Sequence, residues 1–399
     1  MKWTTKRLAE VADLCLGKML DDNKNRGEPL PYLANVNVRW GEFDLENLRE
    51  MRFEHHEMDR YGLKRGDIVM CEGGEPGRCA IWKEPALGMM IQKALHRIRP
   101  HECLDHRFLF YSFLHKGKIG TFAPMFTGST IRHLPRQQLA KIEIEFPQLE
   151  VQRRIADVLS AYDDLIENNR RRMALLEKSA RLLYEEWFVR LRFLGHERAR
   201  MIAGVPEGWQ RGCVSDFYDT ASGGTPSRTN PDFFTGEIPW VKTQELLDGF
   251  VTDTEEKITE DALKKSSAKL FPERTILLAM YGATTGQLGI LASPATSNQA
   301  CCAIVPKSTR ASYLYAFLFF LEHKANLVGL SMGAAQKNIN QQIIRQYPML
   351  MPFRLVAETF YDTLEPVFDQ SLNLQLQNQK LKAARDLLLP RLMSGEIAV

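Results

Sequence analysis

The chain repeats itself, and nothing else in it constrains the fold as strongly. Displaced by 205 residues, the sequence falls on its own second half: Gly128 on Gly333, Gln137 on Gln342, Pro147 on Pro352, Leu159 on Leu364, Asp164 on Asp369, Leu176 on Leu381 and Leu183 on Leu388. Displacements of 206 to 209 pair Trp3 with Trp209, Gln92 with Gln299, and Gly73 and Gly77 with Gly282 and Gly286. A duplicated chain can approximate a two-fold axis within one polypeptide. Two similar modules suit a partner that also offers two sites, as a nucleic-acid duplex does.

The repeat sets the organisation. Residues 1–147 are mixed, with β-like runs at Asp67–Met70 and Lys141–Phe146, an apolar helix near Phe108 to Leu114, and Gly, Pro and Asn clusters between them. Residues 148–193 contain no Pro or Gly and are rich in Glu, Arg and Leu, which predicts one long helix of about 65 Å. Residues 194–206 read as a linker, 207–350 repeat the mixed pattern, and 351–399 repeat the helix.

Both helical segments carry an apolar stripe stepping by four and three. Ile155, Leu159, Tyr162, Ile166, Asn169, Met173, Leu176, Ala180, Leu183 and Trp187 form the first; Phe360, Leu364, Val367, Ser371, Leu374, Asn378, Leu381, Arg385, Leu388 and Leu392 form the second. A stripe sustained this long is a coiled-coil seam. The competing reading packs each helix on its own globular domain. Asn169 and Asn378 interrupt the seams, and such an Asn favours a register in which it finds a partner. Pro366 lacks the N–H a helix interior needs, so the second helix is expected to bend or begin late. Paired antiparallel, the helices would hold the two mixed domains apart at a distance set by helix length.

At 399 residues, with 44% hydrophobic and 25% charged residues, the chain has globular composition and room for two or more cores. A net charge of +3 neither demands nor excludes nucleic acid. Seven cysteines without a CxxC pattern fit reduced, buried thiols in a cytoplasmic protein. The start has no apolar core of a signal peptide, and the most apolar run, Tyr313 to Leu321, is too short to span a bilayer, so no membrane association is expected.

Ordered motifs carry a family resemblance. In the second half these are Ser222-Gly223-Gly224-Thr225-Pro226-Ser227-Arg228, Gly236 to Thr243, Tyr281-Gly282-Ala283-Thr284-Thr285-Gly286, Ser297-Asn298-Gln299-Ala300, and Gly333 to Ile339 followed by Pro352. In the first half they are Tyr32 to Gly41, Gly66-Asp67-Ile68, Gly128 to Leu134, and the helix opening Pro147 to Ala156. In this order they resemble type I restriction–modification specificity subunits with two target recognition domains. Two departures stand out: Gly73-Gly74-Glu75-Pro76-Gly77 is an unusual glycine turn, and Ala357 stands where the first helix has Gln152.

The fold expected is α+β: two mixed α/β recognition domains separated by two long antiparallel helices forming a coiled coil, with a pseudo-two-fold internal repeat. The resemblance implies a non-catalytic subunit in which each domain reads one half of a bipartite, gapped DNA target. It also implies two methyltransferase subunits carrying S-adenosylmethionine, restriction subunits using ATP, and N6-adenine methylation directed by this chain, which itself binds no cofactor. The outer helix faces, including Gln152, Arg153 and Glu167, are the expected partner contacts. Arg170-Arg171-Arg172 lies mid-helix and reads as a solvated face or partner surface.

Candidate DNA contacts follow from donor chemistry. Asn and Gln pair bidentately with adenine, which singles out Asn35, Asn37, Gln244, Gln299 and Asn338. Arg39, Ser129, Thr130, Arg132, His133, Thr225, Ser227, Arg228, Lys242, Thr243, Tyr281 and Lys337 offer donors to phosphates or guanine. Against each stands a plainer role: Asn is a turn residue, and a Gln beside apolar runs is a buried hydrogen-bonding group. Glycine turns let a backbone approach a phosphate without a Cβ, or simply close a hairpin. Neither glycine loop is a P-loop. Asn230-Pro231-Asp232-Phe233 departs from the Asn-Pro-Pro-aromatic methyltransferase pattern at its third residue, His101, Cys103 and His106 lack zinc spacing and a fourth ligand, and Glu72 with Glu75 has no supporting acid–base partner. No metal site is expected. The alternatives are a coiled-coil adaptor that binds proteins rather than DNA, and a stand-alone DNA methyltransferase.

Overall fold

The structure, a computed structural model, describes residues 3–21, 25–308, 310–330 and 338–399. It divides into two compact units, Met1–Glu167 with Gln379–Val399, and Asn168–Asn378. Each unit holds one mixed domain together with parts of both long helices.

In the first unit, four antiparallel strands lie in the order Ala12–Leu16, Leu95–Pro100, Ile68–Cys71, Cys79–Ile81. Ile68–Cys71 is buried on both faces. Alternate side chains explain why a continuous apolar run is a strand here. Ile68 and Met70 pack with Phe108, Phe110 and Phe113 of the helix His106–Lys118, whereas Val69 and Cys71 pack with Ala80 and Trp82. Asp105 starts that helix by accepting from the N–H groups of Arg107 at 2.9 Å and Phe108 at 3.1 Å. A second sheet orders Arg49–Phe53, Glu28–Leu33 and Met90–Ile91, with the last pair parallel.

The second unit repeats the plan. Its sheet orders Tyr218–Ser222, Cys301–Pro306, Ile276–Ala279, Leu288–Leu291 and Gly249–Val251. Ile276 and Leu278 face the helix Tyr313–Glu322, while Leu277 and Ala279 face a smaller cluster with Val241 and Leu246. The apolar run at 313–320 is thus a buried helix, and among the described residues no helix is long and apolar enough to cross a membrane. Burial pushes the Cys301 and Cys302 thiols up to about 12, so both stay protonated.

In each repeat the first strand pairs with the strand just before the long helix: Thr4–Arg7 with Glu143–Phe146, and Gln210–Cys213 with Pro348–Met351. The first long helix runs Leu149–Tyr184 and ends in a wider π turn, Glu185–Val189, four residues short of the boundary expected from composition. Leu191 then leaves with φ of +58°, so composition without Pro or Gly overstates the helix. The segment expected as a linker contains a small hairpin, Met201–Ile202 with Val205–Pro206, and Val205 joins the core of the second unit. The second long helix is continuous over Arg354–Met393 and so does not begin late. Pro366 lies on its exposed side, where a missing hydrogen bond leaves the freed carbonyl near water.

The seam residues can be followed in each unit. In the second, the Asn169 side-chain amide donates to the Asn378 carbonyl oxygen at 3.0 Å, and the Trp187 and Phe360 rings lie 5.8 Å apart. Advancing from 169 to 187 on one helix retreats from 378 to 360 on the other, so the pair is antiparallel there. Leu374 and Ala180 are buried; Met173, Leu176 and Leu183 are half-buried. In the first unit Ile155, Leu159, Leu389 and Leu392 share one core with the domain's own Phe108, and Leu388 packs against it. Ile166 is buried and Leu381 half-buried. Helix pairing and packing on the domain, set against each other in the sequence reading, occur together.

Candidate nucleic-acid interface

Gln152, expected on an outer face, is fully buried. Its carbonyl oxygen accepts from the Asp105 N–H at 2.9 Å, and its amide donates to the Cys103 and Pro147 carbonyls at 3.1 and 2.9 Å. It joins the start of the long helix to the cap of the domain helix, which removes it from any partner surface. The second repeat has Ala357 at this position, and Arg310 takes over. Its guanidinium donates to the Pro352 carbonyl at 2.6 Å and the Met351 carbonyl at 3.2 Å. The degenerate helix opening is therefore compensated from a different element. Glu167 is held by Lys83 at 2.8 Å, whereas Arg153 and Arg170 to Arg172 are exposed.

In the first domain two loops converge. The glycine turn at 73–77 follows the strand Ile68–Cys71, and a small hairpin at 127–133 is closed by mutual backbone bonds of Thr127 and His133, both 2.8 Å. Gly73 bridges His133, and the Leu134 N–H donates to the Glu72 carbonyl at 2.7 Å. His96 fixes the base of the hairpin, its Nε2 lying 2.8 Å from the Leu134 carbonyl. Gly128, at φ of +91°, could not carry a Cβ, which would lie 2.2 Å from the Ile131 carbonyl oxygen. Ser129, Thr130, Ile131 and Arg132 are exposed at the tip, and His133 is exposed at the closing pair. Gly74, Glu75, Pro76, Phe126, Thr130, Ile131 and Arg132 line a cleft of about 500 Å³ between the two loops.

The remaining candidates of this domain sit nearby with unequal freedom. Asn35 leans on the glycine turn, its amide 3.5 Å from the Gly73 carbonyl. Asn37 is committed to its own turn: its carbonyl oxygen accepts from the Ala34 N–H at 2.9 Å and its amide donates to the Asp44 carbonyl at 3.0 Å. The plainer reading of an Asn in a loop fits it better than base contact. Arg39 is exposed, donates to the Val36 carbonyl at 2.5 Å and lies 3.7 Å from Asp44.

In the second domain the two basic candidates among the described residues, Arg228 and Lys242, are already paired. Arg228 donates to Glu256 at 2.6 Å and lies over the rings of Phe234 and Trp240, 4.1 and 5.0 Å from their centroids. Lys242 donates to Glu255 at 2.5 Å and Glu256 at 3.1 Å. The Glu255 hydrogen bond, then Glu256, outweigh desolvation and hold the ammonium above its ordinary pKa. Lys242 thus presents a neutralised charge, contrary to its expected role as a free donor to phosphate. Sequence reading missed the acidic run Glu255-Glu256, whose only signal was its charge. Thr225 donates to Gln299, Ser227 bonds Thr229 at 2.7 Å, Thr243 opens a short turn, and Gln244 and Tyr281 are exposed.

The glycines of this half divide by role. A Cβ on Gly223 would lie 2.3 Å from the Ser297 carbonyl oxygen, and one on Gly224 2.3 Å from Ser267, so that pair lets loops interlock. Gly282, at φ of +82°, faces open space beside Tyr281, as a surface turn should. Asn338 is half-buried, and Lys337 lies outside the described residues. Among the described residues one group could hold a metal, Glu54, His56 and Glu57, and there Lys18 bonds Glu57 at 2.5 Å.

Comparison with known proteins supplies the identity. The family model "Type I restriction modification DNA specificity domain" matches twice, over residues 1–178 and 206–382, each match ending within a long helix. The chain belongs to this specificity-domain family. The family's MjaIX specificity subunit of Methanocaldococcus jannaschii is 24% identical over 100% of this chain and 94% of its own length. The HindI specificity subunit of Haemophilus influenzae is 23% identical over 72% of this chain and 74% of its own. In fold, the chain is similar to a crystal structure of the type I system S subunit from M. genitalium, with a TM-score of 0.60 and 17% identity over 98% of this chain and 96% of that one. The structural likeness shows the fold; the double family match and the specificity-subunit relatives make the chain a DNA sequence-specificity subunit with two specificity domains.

Proposed function

We propose that this chain is the non-catalytic reader of a type I restriction–modification complex, and that each mixed domain reads one half of a bipartite, gapped duplex target. The observation that carries this reading is the double family match, one specificity domain per half of the chain. The converging loops of the first domain support it, because they present hydroxyl, imidazole and guanidinium donors at one exposed edge. Methylation and cleavage belong to partner subunits: methyltransferase subunits with S-adenosylmethionine, and restriction subunits using ATP. Exposed leucines on the long helices, Leu165 in the first unit and Leu175 and Leu182 in the second, support partner docking there. The test is to map methylated adenines in a host carrying this gene with its partner genes. Two short half-sites at a fixed gap are expected; a contiguous site, or no methylation dependent on the gene, overturns the reading.

A further inference from the structure

Glu75 is the unexpected residue of the first domain's cleft. It sits at the turn that meets the Thr127–His133 hairpin, and its side chain is 57% exposed. An acidic group on a surface meant for phosphates is repelled by them, so any contact it makes with DNA is to a donor. The carboxylate is also aimed. Trp40 donates its indole N–H to Oε1 at 3.2 Å, and Arg78 donates to Oε2 at 2.7 Å. Arg78 is itself fixed by a second bond to the Asn35 carbonyl at 3.0 Å. Each carboxylate oxygen retains a lone-pair direction. Pro76, Phe126 and Ile131 give the cleft apolar walls, which strengthen a charge-assisted hydrogen bond, and Arg132 lies on the same lining.

We propose that Glu75 is a specificity-determining residue that accepts the N4 amino group of a cytosine in the major groove. The inference rests on the DNA-reading role proposed above. Cytosine is favoured by lone-pair geometry. Adenine's N6 amino group is flanked by the N7 lone pair, which repels a second acceptor; cytosine's N4 is flanked by a C5–H. Trp40 and Arg78 are positioning residues, since they act through the carboxylate.

The test is selection of bound sequences from a random duplex library by the full chain, compared with Glu75→Gln and Glu75→Ala. The wild-type chain should require a C·G pair at one position of one half-site. Both variants should lose roughly tenfold of the discrimination at that position and leave every other position unchanged. Glu75→Gln should also gain tolerance for adenine there, because an amide both donates and accepts. Trp40→Phe, which keeps the carboxylate but removes one of its aiming donors, should loosen the same position. Unchanged sequence preference in the variants, or a uniform gain in affinity for all sequences, overturns the assignment of Glu75 and leaves the DNA-reading role standing. A wild-type chain that enriches no sequence overturns that role, and this inference with it.

Discussion

The side-chain amide of Asn169 meets that of Asn378 across 3.0 Å, joining the two long helices at their only seam asparagines. Asn169 is 6% exposed and Asn378 half-buried, so the pair replaces part of the solvent the two amides would otherwise hold. Leucine in place of Asn169 alone sets an amide against an apolar side chain, at a cost of about 1–3 kcal/mol. Replacing both with leucine should recover most of that loss in thermal melting, because the buried polar demand disappears from both sides. A double variant less stable than either single one would deny the asparagines their paired role.

The first unit carries a charged counterpart. Arg385 bonds Asp163, which accepts the Tyr111 hydroxyl at 2.7 Å, and Asp386 receives Arg385 at 2.8 Å and Lys118 at 2.5 Å. Burial opposes ionisation of Asp386, but Lys118 and Arg385 outweigh it and hold its carboxyl below the ordinary range. A depressed folded pKa stabilises above the unfolded value and loses that contribution as pH falls through the folded one. Stability should therefore decline below about pH 4. Lys118→Ala should lower stability at neutral pH and flatten the acid limb, read from denaturant midpoints across pH; an unaltered acid limb would remove Asp386 from the account.

Gln152→Ala strands three backbone partners, the Pro147 carbonyl buried and the other two partly so, and should cost about 1–3 kcal/mol in denaturant midpoint measurements. Arg310→Ala should weaken the second repeat in the corresponding place. A neutral Gln152→Ala would restore the idea of an outward-facing residue.

Much of this plan was legible because its causes are local. Helical spacing is fixed by backbone geometry, so the seams, the Asn pair and the duplicated order could be read along one dimension. The contiguous apolar strand at Ile68 was legible as a strand but not as a two-faced one, and its counterpart at Ile276 was not singled out. What escaped depends on residues distant in sequence. Nothing near Ala357 announces that Arg310, 47 positions earlier, holds the Pro352 carbonyl. Nor does Lys242 reveal that Glu255 and Glu256 neutralise it, or Gly223 that Ser297 presses against it. Donor chemistry named plausible DNA contacts, whereas only geometry separates Asn37, spent on its turn, from the exposed Arg132.

That separation predicts different salt behaviour. Arg132→Ala should reduce the slope of log affinity against log salt by roughly one charge, as loss of a phosphate contact does. Lys242→Ala should change it much less, since its ammonium already faces two carboxylates. A full unit lost at Lys242 would mean that DNA displaces Glu255.

The most direct test of two independent readers is domain exchange. Residues 207–350 are replaced by the corresponding domain of a relative with a different target, and the methylated sites are mapped with the partner subunits present. One half-site should change while the other half is retained. Change in both halves, or in neither, would contradict the account.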